Sequence, residues 1–176
     1  MTTEPSTREM ELAHQFIQYF DSLSPAWSYT YNQEENAISY AVEFEAFNIG
    51  ELFFRIQFRE ERVCLSAYIL PLNRQISTDV LRELTRLVCL INAHFNMPGN
   101  FDLDWDNGDI RYRICMDWEG YIPQKGDIQQ LADMAFHYYA AFGEELTTVR
   151  SAELTCSQAW SMLMEKVAQV KENDSF

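Results

Sequence analysis

The stretch ISYAVEFEAFNIGELFFRIQFREERVCLSAYIL, residues 38–70, carries the pattern that decides the fold. Ile38, Tyr40, Val42, Phe44 and Ala46 alternate with Ser39, Glu43 and Glu45, the period-two pattern of a strand with one buried face. Leu52, Phe54, Ile56 and Phe58 repeat it against Phe53, Arg55, Gln57 and Arg59. Between the two runs, Asn48-Ile49-Gly50 suits a three-residue turn with glycine in the left-handed region. Pairing Phe47 with Glu51 then sets Phe44 opposite Phe54, Val42 opposite Ile56, Tyr40 opposite Phe58 and Glu43 opposite Arg55. A turn at Glu60-Glu61, with Arg59 opposite Arg62, brings Val63, Leu65, Ala67 and Ile69 onto Phe58, Ile56, Phe54 and Leu52. The like-charged arginine pair is the weak point of that register. A slip of one residue would turn every one of these side chains to the other face. The segment therefore reads as a three-strand antiparallel meander, each favourable cross-strand pair contributing about 0.2–1 kcal/mol.

Helices flank the meander. Over residues 6–22, Leu12, Ala13, Phe16, Ile17 and Phe20 recur at helical spacing, and Ser24-Pro25 stops the run. Pro71 ends the sheet segment on the other side. Ser77 or Thr78 can cap a helix over 79–96. Leu81, Leu84, Val88, Ile91 and Phe95 form its stripe, and Val80, Leu87, Leu90 and His94 widen the apolar arc to about 180°, beyond what one packing surface needs. Such a helix is either wedged between two parts of its own domain or shared with a second copy of the chain. On the second reading Val80, Leu87, Leu90 and His94 form a homodimer interface.

Next, Phe101–Trp105 and Ile110–Ile114 flank Asp106-Asn107-Gly108-Asp109, and Asn-Gly between alternating runs signals a hairpin. A two-residue loop sets Trp105 opposite Ile110, Leu103 opposite Tyr112 and Phe101 opposite Ile114. Asp104 and Asp102 then face Arg111 and Arg113. A third helix over 127–142 carries Ile128, Leu131, Ala132, Ala135, Tyr138, Tyr139 and Phe142, with Gly143 as its cap. A fourth, over 156–171, opens on the capping box Thr155-x-x-Gln158 and carries Trp160, Leu163, Val167 and Val170. The tail Lys171–Phe176 is expected to fray.

The class is then α+β: one two-layer domain over 1–176, with an antiparallel sheet of meander plus hairpin and element order α-β-β-β-α-β-β-α-α. The expected core draws on Phe44, Phe54, Ile56, Leu65, Leu84, Val88, Leu103, Trp105, Tyr112 and Leu131. Hydrophobic residues are 47% of the chain and aromatics 14%, too many for a disordered acidic chain. The formal net charge of −14, from 27 acidic and 13 basic residues, argues against nucleic acid and against an anionic membrane surface. It favours basic partners. No stretch approaches the roughly 18 apolar residues of a membrane span, and the N-terminus has no secretory pattern. Cys64, Cys89, Cys115 and Cys156 form no C-x-x-C and are expected as small hydrophobes in a reducing cytoplasm. Cys89 alone lies opposite the apolar stripe of its helix, beside Arg82 and Arg86. A thiol partly covered by a neighbouring element or partner chain is the expectation there, ahead of a redox site.

No catalytic or metal motif emerges. Asp102-x-Asp104-x-Asp106 fails as a calcium loop, because its sixth position is Asn107 and its twelfth Arg113. His14, His94 and His137 lie on three different helices without zinc spacing. No phosphate-binding or nucleophile-elbow motif is present, and no cofactor is called for.

Pro71 through Asn92, Gly99-Asn100-Phe101, Asp104, Gly108, Ile110, Tyr112-Arg113 and the closing Phe142–Val149 resemble the bacterial YbjN family. The resemblance covers about residues 27–150 and is sharpest from Asn92 to Arg113. It implies a fold similar to type III secretion chaperones, compact α/β dimers that hold partner proteins. It also implies a role described for that family as regulation of sensory transduction, without catalytic residues to carry over. The expectation is a non-enzymatic, cytoplasmic protein-binding or regulatory module, homodimeric through the second helix, with unidentified protein partners and no nucleic acid or membrane. By analogy Phe16 and Phe20 would touch a partner, although core is the preferred place for both. The alternative is a small-ligand sensor with an aromatic-lined pocket. A hydrolase or metal enzyme is the remotest rival, for want of any constellation.

Overall fold

A computed structural model describes residues 6–22, 28–44, 50–59, 62–70, 75–117 and 125–173. The elements run α1 (Thr7–Ser22), β1 (Tyr29–Asn32), β2 (Ala37–Phe44), β3 (Gly50–Arg59), β4 (Arg62–Ile69), α2 (Thr78–His94), β5 (Asn100–Leu103), β6 (Ile110–Asp117), α3 (Lys125–Arg150) and α4 (Cys156–Asn173). They give an α+β fold with the expected order, one strand added after α1. The strands form a six-stranded antiparallel sheet in the order β1-β2-β3-β4-β6-β5. Asn48-Ile49, Glu60-Glu61, Ser24-Pro25, Pro71, Ala46 and Phe47, and the side chains of Phe44, Ile128 and Val170, lie outside the described residues.

The β3–β4 register forms as the alternation requires: Phe58 faces Val63, Ile56 faces Leu65, Phe54 faces Ala67, Leu52 faces Ile69, and Arg59 does face Arg62. The β2–β3 register is slipped by four residues from the expected one. Val42 faces Leu52, Tyr40 faces Phe54, Ile38 faces Ile56 and Glu43 faces Glu51, so Phe47–Glu51 and Glu43–Arg55 are not pairs. An even slip keeps every side chain on its face, so alternation alone cannot exclude it. The observed register stacks Tyr40 on Phe54, ring centroids 4.8 Å apart and nearly coplanar. It also frees Phe58 for an edge-on contact with Phe16 of α1 at 5.1 Å. Such aromatic pairs contribute about 0.5–1.5 kcal/mol each beyond their buried area.

The hairpin also closes differently. Phe101 faces Tyr112, Asp102 faces Arg111 and Leu103 faces Ile110, leaving residues 104–109 as a six-residue loop. The polar side chains build that loop rather than extend the strands. Asp104 Oδ1 accepts from Asp106 N–H at 2.9 Å, and Asn107 Oδ1 accepts from Asp109 N–H at 2.8 Å. Gly108 sits at φ +73°, where a Cβ would collide with Ile76. Arg150 reaches across from α3, donating to Gly108 O at 3.1 Å and to Asp109 at 3.0 Å. Trp105 is consequently 66% exposed and not core, and Leu103 is only half-buried. Asp104 does not meet Arg111. Asp102 takes both arginines instead, at 3.2 Å from Arg111 and 3.1 Å from Arg113.

α3 does not stop at Gly143. A glycine inside a helix costs about 1 kcal/mol, but Leu146 and Val149 continue the buried stripe and each repays about 1.5–3 kcal/mol. The helix ends instead on Ala152 at φ +63°. There the Ala152 and Glu153 amides donate to the carbonyls of Val149 and Thr148, a Schellman closure built without glycine. Ser77 caps α2 by accepting from Val80 N–H. The Thr155–Gln158 box forms in both directions, Thr155 N–H to Gln158 Oε1 at 2.9 Å and Gln158 N–H to Thr155 Oγ1 at 3.4 Å. The Glu83 carboxylate of α2 accepts from Cys156 N–H at 2.9 Å, which lashes α4 to α2 at the positive end of its dipole.

All four helices lie on one side of the sheet. α1 packs on β3, α3 crosses β4 and β6, and α2 is flanked by α3, α4 and β5. The fully buried Tyr139 of α3 places its hydroxyl between two strands, donating to Ala67 O at 2.7 Å and accepting from Tyr112 N–H at 3.1 Å. The core is the even-numbered face of β2, β3 and β6 and the odd-numbered face of β4, closed by Leu84, Leu87, Val88, Leu131, Tyr139 and their neighbours.

Candidate functional site

One-sided helix packing leaves the other face of the sheet uncovered among the described residues. The registers define what stands there. A central row runs Gln57–Cys64–Cys115 across β3, β4 and β6. The row on one side reads Arg55–Ser66–Arg113, and the row on the other Arg59–Arg62–Asp117. Beyond Arg55 lies Phe53–Tyr68–Arg111–Asp102. Sheet twist curls these rows into a concavity of about 460 Å³ lined by Arg55, Arg59, Arg62, Arg111 and Arg113 among others. Those five are over a third of the 13 basic residues in a chain of net charge −14.

The carboxylates that pair them among the described residues number three. Glu35 meets Arg55 at 3.1 Å, Asp117 meets Arg62 at 3.5 Å, and Asp102 serves Arg111 and Arg113 together. Arg59 donates to Gln57 Oε1 at 3.3 Å and meets no carboxylate among the described residues. The Arg111 guanidinium lies 6.0 Å from the Tyr68 ring centre, and its buried Nε has no hydrogen-bond partner among the described residues. The face therefore carries surplus guanidinium donors, planar forks suited to carboxylates.

Cys64 and Cys115 are joined by a disulfide across β4 and β6, their Cα atoms 4.1 Å apart and directly opposite in register. This corrects the expectation of reduced, apolar cysteines. Both lie in strands, as their surroundings indicated, but on the uncovered face. What brings them together is the pairing of β4 with β6, strands separated in sequence by α2 and β5. Cys89 is exposed and unbridged on α2. Cys156 is buried, and burial pushes its thiol pKa up.

The site residues expected from sequence fall elsewhere. Phe16 and Phe20 are fully buried, Phe20 against Tyr40 at 4.8 Å, so the chain's own sheet holds both. Leu87 is fully buried, Val80 and Leu90 are half-buried, and His94 stacks edge-on against Trp160 at 4.8 Å. α2 thus meets α3, α4 and β5 of its own chain along part of its apolar arc. The pocket lining contains one aromatic residue, Tyr68, and is otherwise mostly polar. No cluster of three or more potential metal ligands occurs among the described residues, and no described helix is long and apolar enough to cross a membrane.

No protein-family model matches the chain, and no curated protein matches it in sequence. The arginines of the uncovered face carried a readable signal. Arg55 and Arg59, and likewise Arg111 and Arg113, occupy the alternate positions opposite an apolar face, where acidic residues would be equally soluble.

Proposed function

We propose that this chain is a non-enzymatic, cytoplasmic protein-binding or regulatory module that docks an acidic segment of a partner protein on the uncovered sheet face. The observation that carries the reading is the concavity on the sheet face that no described helix covers, lined by five arginines and no carboxylate, with Glu43 and Glu51 farther along the same face. The rest of the molecule is strongly acidic, so the face is complementary to an acidic segment and the remainder repels one. The YbjN resemblance supports the same direction, toward proteins that hold other proteins. It also supports a homodimer; on α2 that interface would have to use Val80, Leu90 and His94, because Leu87 is consumed inside the chain. The alternative of an aromatic-lined sensor pocket has less support, given a lining with one aromatic ring.

Fluorescence anisotropy with a labelled acidic peptide and its basic counterpart tests the docking. The acidic peptide should bind more tightly, weaken as salt rises, and lose affinity in an Arg59→Glu/Arg113→Glu variant. Equal binding of the two peptides at low ionic strength would overturn it. Light scattering tests the dimer separately, and a particle of 20.7 kDa would remove it.

A further inference from the structure

We propose that Cys64 and Cys115 form an exchange site for an anionic low-molecular-weight thiol, one whose carboxylates the surrounding arginines hold while its sulfur reacts. The cysteines face each other across β4 and β6 at the centre of the uncovered face. Cys115 is exposed and Cys64 half-buried, so a small thiol can reach the bond from solvent. Arg62 lies two residues along β4 from Cys64, and Arg113 two residues along β6 from Cys115. Arg55 and Arg59 flank Gln57, which faces Cys64. Two residues along a strand is about 7 Å and one strand spacing about 5 Å, so four arginines surround the sulfur pair in the lining of one concavity; Arg55, Arg62 and Arg113 each also meet a carboxylate, Glu35, Asp117 and Asp102. Cations beside a thiolate favour the anion, and they raise the local concentration of an anionic reagent. Disulfides that are exposed exchange more readily than buried structural ones.

The chemistry balances in two displacements. The thiolate of the small thiol attacks Cys115 Sγ, the Cys64–Cys115 bond breaks, and its electron pair leaves on Cys64 Sγ. A second thiolate then attacks the small-molecule sulfur of the mixed disulfide and expels Cys115 as thiolate. Two small thiols are oxidised to their disulfide, the protein pair gains two electrons, and two protons restore the thiols. The reverse sequence closes the bond with the small disulfide as oxidant.

The inference shares its face with the docking proposal, and only its charge preference rests on that reading. The test is the rate of exchange of the intact protein with three small thiols, dicarboxylate, neutral and cationic, each normalised to its rate with an uncharged model disulfide. Released thiol is counted by alkylation and mass. The expected order is dicarboxylate over neutral over cationic, spanning about tenfold or more at low ionic strength and collapsing at high salt. An Arg59→Glu/Arg113→Glu variant should flatten or reverse that order. A rate order equal to that of the model disulfide, or cysteines that stay unpaired under the small disulfide, would overturn the proposal. Acidic-peptide binding by a Cys64→Ser/Cys115→Ser variant separates the two ideas. Retained binding with no charge order in exchange overturns only the exchange site.

Discussion

Replacing Tyr139 by Phe removes one oxygen from the centre of the molecule and little volume. The hydroxyl donates to Ala67 O at 2.7 Å and accepts from Tyr112 N–H at 3.1 Å. Ala67 and Tyr112 are themselves partners in the β4–β6 register, so the oxygen completes a polar link between two strands in a region where Tyr112, Ala67 and Tyr139 are all fully buried. The phenyl ring of the variant fills nearly the same space, so no cavity cost enters. What remains is the loss of one buried oxygen that hydrogen-bonds Ala67 O and Tyr112 N–H and also lies 3.3 Å from Ile110 O, at about 1–3 kcal/mol in all. The expected loss is about 2 kcal/mol, or roughly 4–8 °C in Tm for a chain of this size. Urea denaturation followed by tryptophan fluorescence, in reducing buffer so that the Cys64–Cys115 bond does not contribute, measures it. The midpoint should fall with an unchanged slope. A loss below about 0.5 kcal/mol would refute the reasoning, because the strands would then be closing on each other and satisfying those groups without the tyrosine.

Ala152→Gly should stabilise the protein by about 1 kcal/mol, because Ala152 sits at φ +63°, where a Cβ costs about 1–2 kcal/mol; thermal melting should register a rise of about 2–4 °C. Glu145 is fully buried and meets Lys166 Nζ at 2.6 Å. Lys166→Met should therefore cost about 2 kcal/mol or more by stranding a buried carboxylate, and adding Glu145→Gln should recover most of that in a double-mutant cycle. Burial holds the phenols of Tyr40, Tyr139 and Tyr112 well above their ordinary pKa. The folded state thus keeps these protons while an unfolded tyrosine loses its own near pH 10. Their contribution is intact below about pH 10 and declines above it, by up to about 4 kcal/mol per pH unit for the three together. The phenolate absorbance of three of the nine tyrosines should appear only with unfolding, and full ionisation of all nine before unfolding would contradict the burial.

Most of the fold was legible because its signals are local. Val63 opposite Phe58 follows from a short turn and an alternating face. Thr155 and Gln158 cap a helix through atoms three residues apart. Where the reading slipped, two arrangements obeyed the same local rule. Tyr40 can face Phe58 or Phe54 without leaving the core face, and an aromatic stack decided between them. Asp104 can pair across a hairpin or fold back onto Asp106 N–H, and the loop anchored by Arg150 took it. Strand β1 was missed because Tyr29–Asn32 is only four residues long, with two half-buried tyrosines as its apolar signal. The candidate site was the least legible part. Cys64 meets Cys115 only once β4 is known to pair with β6, and no turn or spacing announces a pairing across 51 residues. The arginines were visible one strand at a time but not as one face.

Their placement needs a reason beyond solubility. A chain already at −14 gains more solubility from added acids than from added bases, and five arginines bring its net charge closer to zero. If the uncovered face needed only to stay wet, acidic or neutral side chains at positions 55, 59, 62, 111 and 113 would serve at least as well. Cross-strand ion pairing explains part of the pattern, since Asp102 engages two of the five and Asp117 and Glu35 one each. It does not explain why all five are arginine rather than lysine. Lysine is a compact, strongly hydrated cation on a flexible stem, whereas guanidinium gives up its water more readily and binds a carboxylate with two parallel N–H donors. A partly occupied fork keeps donors to spare, as that of Arg59 does, which meets Gln57 and no carboxylate among the described residues. Glu43 and Glu51 also stand on this sheet face, so the surplus is local: the concavity is lined by five arginines and no carboxylate, and it is there that a further carboxylate would be accepted.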